Sequence, residues 1–207
     1  MSSQAANDRR PVGRPREFDP EVALERAMRL FWAKGYEGAS LSDLTAAMGI
    51  NRATMYANFG SKEELFRRAL DRYENGAAAC GFTTLNRPTI KEAVEGLLYG
   101  SLEALTAPEH PGCFTVVGAL ASSDESESVR QALSESRNER LRAWTQRFEQ
   151  AQAQGEIPAE PSASALARYV LTVLHGMTVQ ARGGATLDEL REMVDVALGA
   201  LPFASSR

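Results

Sequence analysis

Along this chain apolar residues return every three or four positions, in runs cut short by glycine and proline. The interruptions fall at Pro11 to Pro15, Gly35 to Gly38, Gly49, Gly60, Pro108 to Gly112, Pro158 to Pro161 and Gly183-Gly184. Between them the two-residue alternation of a half-buried strand is weak, so the pattern predicts an all-α protein. Helix starts are well marked. Asp19 can cap a helix with Pro20 at its first position. Capping-box pairs follow at Ser40/Asp43, Ser61/Glu64, Thr89/Glu92 and Thr186/Glu189, in which the short side chain accepts from the third helical amide and the acid reaches back to the cap. These signals predict about nine helices, near 19–34, 41–48, 52–58, 62–79, 89–106, 113–122, 125–154, 162–182 and 187–201. Residues 1–16 are read as a disordered basic arm.

The first helix places Leu24, Ala27, Met28 and Phe31 on one face, and the fourth places Leu65, Phe66, Ala69, Leu70 and Tyr73 on one face. Between them lie two helices of about two turns, too short to be stable alone. They need a shared core, which Leu41, Leu44, Ile50, Met55 and Phe59 can supply. Gly49 sits just past the end of the first short helix, where a left-handed residue closes the turn, and Asn51 can cap the second. A short helix, a glycine turn and a second short helix make helix-turn-helix chemistry, in which the second helix reads DNA.

Two runs carry a family resemblance. Gly49-Ile-Asn-Arg-Ala-Thr-Met-Tyr56-Ala-Asn-Phe59-Gly-Ser-Lys62-Glu-Glu-Leu65 resembles the signature of tetracycline-repressor-type (TetR/AcrR) transcriptional regulators, and Phe31-Trp-Ala-Lys-Gly35-Tyr36-Glu-Gly-Ala-Ser-Leu-Ser-Asp-Leu44 fits it too. The resemblance covers about residues 17–66. It implies nine or so helices, a homodimer, and repression relieved by a small ligand. The expected division is an arm over 1–16, a three-helix helix-turn-helix DNA-binding head over 17–63, and a larger helical ligand-binding and dimerisation domain over 64–207.

On the short recognition helix lie Arg52, Ala53, Thr54, Ala57 and Asn58. Arg52 can pair bidentately with guanine and Asn58 can read an adenine edge. Tyr56 and Lys62 resemble the family's phosphate-contacting positions, and Lys62 adjoins a helix N-terminus, itself a phosphate-binding feature. Ser42, at the exposed start of the preceding helix, and Thr54 are each placed for phosphate or base. Arg14 and Arg16, in the stretch Arg9-Arg10-Pro-Val-Gly-Arg14-Pro15-Arg16, suit either the adjacent minor groove or a nonspecific phosphate contact. The net charge of −4 argues mildly against nucleic acid, but its distribution reverses the point. Residues 1–62 hold nine Lys/Arg against seven Asp/Glu, and the remainder 14 against 20.

The last two helices are apolar over wide faces, which suits a four-helix interface between two copies, so that two heads meet two half-sites of a palindromic double-stranded operator. A small-molecule effector is expected in the body. Its candidate contacts are Phe82, Leu98, Tyr99, Leu102, Cys113, Phe114, Val117, Trp144, Phe148, His175 and Met177, each of which can equally be ordinary core. Cys113 opens the segment Gly-Cys-Phe-Thr-Val-Val at a predicted helix start, a setting in which thiols gain reactivity. That segment resembles a branch of the family, some of whose members respond to electrophiles or oxidants; a small buried hydrophobe is the other reading. Two cysteines make no disulfide framework or metal site and point to a reducing cytoplasm. No run of 18 apolar residues suggests a membrane span, and the polar N-terminus does not read as a secretory signal. With two histidines and no nucleophile–base cluster, no enzyme and no cofactor are expected. The alternatives are a small helical dimeric enzyme, or an adaptor, with an apolar pocket.

Overall fold

The computed structural model describes residues 18–76, 78–107, 112–120 and 127–203, and within them each of the four capping boxes closes. Ser40 Oγ accepts from the Asp43 amide at 3.0 Å, and Asp43 Oδ2 accepts from the Ser40 amide at 3.3 Å. The same reciprocal pair forms at Ser61/Glu64, Thr89/Glu92 and Thr186/Glu189. Asp19 Oδ1 accepts from the amides of Glu21 and Val22, with Pro20 at the first helical position. Each cap satisfies amides that the helix leaves orphaned and contributes about 1 kcal/mol.

The described residues form α1 (Pro20–Gly38), α2 (Leu41–Met48), α3 (Arg52–Phe59), α4 (Lys62–Asn75), a single turn α5 (Cys80–Thr83), a 3-10 turn (Thr84–Asn86), α6 (Ile90–Thr106), α7 (Phe114–Leu120), α8 (Glu127–Ala153), α9 (Ala163–Arg182) and α10 (Leu187–Gly199). No strand occurs among them, and no helix is long and apolar enough to cross a membrane. Two boundaries differ from the sequence pattern for physical reasons. α1 breaks at Gly35, whose φ of 71° and ψ of 175° are open to glycine, then turns once more to Gly38. The predicted helix over 62–79 stops at Asn75. The Gly76 and Ala78 amides both turn back to the Tyr73 carbonyl, closing the end before the alanines that invited extension.

α1 packs on α2 and α4, burying Ala27, Met28 and Phe31 with Leu44, Leu65, Phe66 and Ala69. In the rest of the chain α8 packs along α9, and α6 lies against both α9 and α10. One continuous hydrophobic cluster runs through both regions. An aromatic group joins them: Phe66 of α4 stacks on Phe114 of α7 at 5.4 Å, Tyr73 stacks on the same ring at 5.3 Å, and Trp32 of α1 meets Tyr73 edge-on at 5.0 Å. α4 therefore serves both the short-helix head and the body.

Candidate nucleic-acid interface and internal cavity

α2 and α3 are joined as a tight pair. Gly49 adopts φ 72° and ψ 29°, and its amide and that of Ile50 donate to the Ala46 and Thr45 carbonyls. A side chain on Gly49 would be strained in that left-handed conformation. Asn51 Oδ1 accepts from the Thr54 amide at 2.8 Å and starts α3 at once. Leu44, Met48, Met55 and Phe59 point inward, and Ile50 packs against the same core. This inward set fixes what the outer face of α3 presents. Arg52, Ala53, Tyr56, Ala57 and Asn58 are exposed, Tyr56 by 50%, and Thr54 is half-buried. Ser42 is exposed at the start of α2.

Several neighbours hold this face in place. Arg68 Nη1 donates to the Asn58 carbonyl at 2.9 Å, closing the end of α3, and its guanidinium lies over the Phe59 ring. Asn58 Nδ2 donates to the Thr54 carbonyl at 2.8 Å. Lys62, at the first position of α4, sets its ammonium 4.3 Å over the Tyr36 ring. Burial there pulls its pKa below the ordinary lysine value, against the opposing pull of Glu37. The nearby acids are engaged. Asp43 takes Lys34 at 3.0 Å and the Ser40 cap, Glu64 takes the Ser61 cap, and Glu63 pairs with Arg67. Arg52 has no ion-pair partner among the described residues, so its charge faces outward uncompensated. Arg14 and Arg16 lie outside the described residues. Sequence reasoning did not single out Tyr36 as the seat for Lys62, nor Arg68; the aromatic in the Gly-Tyr-Glu-Gly motif was the available signal.

Behind the head lies an internal cavity of about 30 Å³, roughly one water molecule's share of liquid volume. Its walls come from α1 (Trp32), α4 (Tyr73), α6 (Leu97, Ser101, Ala104, Leu105), α8 (Arg140) and α9 (Leu174), with Ala78, Gly81, Gly112 and Cys113. The structure places Cys113 on this wall, 5% exposed, its Sγ accepting from the Tyr73 hydroxyl at 3.1 Å and lying 3.1 Å from Thr115 Oγ1. Burial, with the neighbouring thiol, pushes the Tyr73 phenol well above its ordinary pKa.

The other candidate effector contacts stand around this space rather than on its wall. Phe114 fills the aromatic group, and Leu98, Leu102, Val117, Trp144, Phe148 and Met177 are buried in the core. Trp144 Nε1 donates to the Gly81 carbonyl. Phe82 is half-buried with the Arg140 guanidinium over its ring. Tyr99 is exposed and its hydroxyl donates to Asp195 of α10. His175 lines a separate groove between α8 and α9 with Arg137 and Arg168. Burial, then Arg140 and Arg137, lower its pKa to about 4. Sequence reasoning missed Arg137 and Arg140. Their signal was a charge inside the inward stripe Val129, Leu133, Ser136, Arg140, Trp144, Phe148 of α8. Across α9 and α10 an apolar groove is lined by Tyr169, Val173, Gly176, Met193 and Val196, the last 75% exposed.

Residues 23–69 match the family model "Bacterial regulatory proteins, tetR family", and residues 93–197 match "Tetracyclin repressor-like, C-terminal domain". The chain is 35% identical over 193 residues to the HTH-type transcriptional repressor ComR of Escherichia coli (strain K12), covering 92% of each chain. It is 32% identical over 193 residues to the HTH-type transcriptional regulator YezE of Bacillus subtilis (strain 168), covering 92% of this chain and 100% of that one. Among solved structures it is similar to a cysteine mutant of the TetR family transcriptional regulator CifR complexed with 26-bp double-strand operator DNA, with 42% identity, a TM-score of 0.84, and 92% of this chain and 100% of that one covered.

Proposed function

The chain belongs to the TetR family of bacterial regulatory proteins, and on that footing we propose that it is a transcriptional repressor: a cytoplasmic homodimer that binds a palindromic double-stranded operator and is released by a small-molecule effector. The observation that carries this reading is the outer face of α3. Arg52, Ala53, Tyr56, Ala57 and Asn58 are exposed together on a helix whose other side is anchored by Met55 and Phe59. Such a helix fits a major groove, with Arg52 toward guanine and Asn58 toward adenine. Tyr56 and Lys62 flank it as phosphate contacts, with Ser42 and Thr54 at the same surface and Arg14 and Arg16 in the arm. One short helix supplies little affinity, and two heads on one dimer supply the rest. The apolar α9–α10 groove supports self-association, since a second copy would cover Val196 and Met193.

Release follows from where the cavity sits. Trp32 of α1 and Tyr73 of α4 are part of its wall, and those helices frame the head. A guest larger than a water must push them, and a shift of α4 changes how far apart the two heads stand. Cys113 on the same wall supports a second route, in which its sulfur adds to an electrophile such as an activated alkene, the S–H bond breaking and its proton passing to the adduct, and the bound adduct acts as the guest.

The test is a mobility shift on DNA upstream of the protein's own gene. Tyr56→Ala and Lys62→Ala weaken binding to all sequences alike while light scattering still reports a dimer. Lys62→Ala also lowers the slope of log affinity against log salt by about one. Operator affinity unchanged in both variants would count against the proposed interface.

A further inference from the structure

The cavity behind the head carries an unanswered charge. Arg140 is 5% exposed, and its Nε and Nη2 have no hydrogen-bond partner among the described residues. These two nitrogens lie on the same edge of the guanidinium, the edge whose parallel N–H groups match the two oxygens of a carboxylate. The neighbouring groups do not supply that anion. Tyr73 spends its proton on Cys113, and the Ser101 hydroxyl donates to the Leu97 carbonyl. Arg137, one turn earlier on α8, lines the separate α8–α9 groove, and its buried Nη1 has no partner among the described residues. No described carboxylate pairs with either arginine, while Arg147 on the same helix has Glu156. The backbone is shaped around Arg140 as well: a Cβ on Gly81, a residue of the cavity wall, would sit 3.2 Å from Arg140 Nε. A buried cation is costly without a counter-ion, and with none among the described residues one held on a cavity wall points to a ligand of the opposite sign.

We infer that the internal cavity is an anion site whose ligand is a small organic monocarboxylate, gripped through the Nε/Nη2 edge of Arg140 with its hydrocarbon part against Leu97, Leu105 and Leu174. This rests on the effector-release reading above and narrows the effector to a chemical class. The apolar walls exclude a hydrated inorganic anion, and the planar fork of Arg140 favours a planar carboxylate. The space is now too small for such a guest, so binding separates Tyr73 and Trp32 from the body and acts on the head.

The experiment uses the full-length protein near neutral pH and fixed ionic strength, with four carboxylates (acetate, butyrate, hexanoate, benzoate) and their isosteric amides. Calorimetry and thermal shift read binding, and a mobility shift on an operator selected from random DNA reads release. At least one carboxylate is expected to bind about tenfold or more tighter than its amide, the size of a charge-assisted hydrogen-bonded pair. Arg140→Met should abolish that preference while melting at a higher temperature than the parent, and Arg140→Lys should keep part of it. Equal binding of acids and amides, carboxylate preference surviving in Arg140→Met, or no carboxylate binding at all overturns the inference. Carboxylate binding without DNA release upholds the anion site and sinks the release reading. Release by a thiol-directed electrophile, with no carboxylate bound, does the reverse.

Discussion

Two guanidiniums are buried on α8, about two turns apart, and the fold treats them in opposite ways. Arg147 pairs with Glu156 at 3.4 Å and donates toward the Arg87 and Pro88 carbonyls, while Glu156 also accepts from the Ile90 amide at the start of α6. Every part of that arrangement is answered within the protein, and it ties the turn before α6 to the end of α8. Arg140 faces a cavity, and its Nε and Nη2 have no partner among the described residues. Both residues are almost fully buried, so burial alone does not separate them. Satisfaction does: a charge that the chain neutralises is structural, and one left open at a cavity wall is kept for a guest.

The largest expected effect comes from breaking the satisfied member. Arg147→Met leaves Glu156 with its carboxylate mostly buried and without its cation, at a cost of about 3 kcal/mol in urea unfolding. A loss below about 1 kcal/mol would mean the pair merely decorates the turn.

Next comes the pH response of the unsatisfied region. His175 shares the α8–α9 groove with Arg137 of α8 and with Arg168 of its own helix, and its pKa is held at about 4 by burial, Arg140 and Arg137. The folded protein therefore binds fewer protons here than the unfolded chain, whose histidine has its ordinary pKa of 6.5. The contribution of this group is complete above pH 6.5 and is lost as pH falls toward 4, by about 2–3 kcal/mol in all. His175→Gln should flatten the stability profile, most plainly between about pH 6.5 and 5.5, where Asp and Glu have barely begun to protonate. Parallel profiles for parent and variant would show that the arginines do not govern this histidine.

Arg140→Met inverts the sign of the first prediction. Replacing an orphaned buried charge with an apolar side chain of similar length stabilises the effector-free protein by about 1–2 kcal/mol. Thermal or urea unfolding measures it. A loss of stability comparable with that of Arg147→Met would erase the distinction between the two arginines.

The same contrast explains what the sequence could say. The helices were legible because their signals are local: Ser40/Asp43 and its three counterparts state both partners within four residues, and Gly49 and Asn51 mark the turn between α2 and α3. The exposed face of α3 was legible because a two-turn helix with Met55 and Phe59 inward has one way to turn outward. The cavity is set by residues far apart in sequence, Trp32, Tyr73, Ser101, Cys113, Arg140 and Leu174, and no local pattern joins them. Candidate effector contacts chosen for being large and apolar, such as Trp144 and Phe148, are those that fill space rather than border it. The signal for the cavity wall was the charge at Arg140 within an inward stripe. The break of α1 at Gly35 and the stop of α4 at Asn75 show the complementary limit, since both depend on backbone torsions that helix-favouring neighbours conceal.

Arg52 marks the far end of the scale, an arginine with no ion-pair partner and no cavity among the described residues, open to solvent at the first turn of α3. Arg52→Ala should move stability by no more than about 0.5 kcal/mol, because an exposed side chain without a partner gives the fold nothing to lose. Its effect belongs to binding. If Arg52 grips one guanine through its fork, the variant loses about 1–3 kcal/mol of discrimination at one base position per half-site and keeps its phosphate contacts. Selection from random DNA checks this directly: the variant's operator should match the parent's except at one symmetric pair of positions, where preference for guanine disappears. An identical operator for both proteins would assign Arg52 to the phosphate backbone, and a stability loss above about 1 kcal/mol would mean that it braces α3.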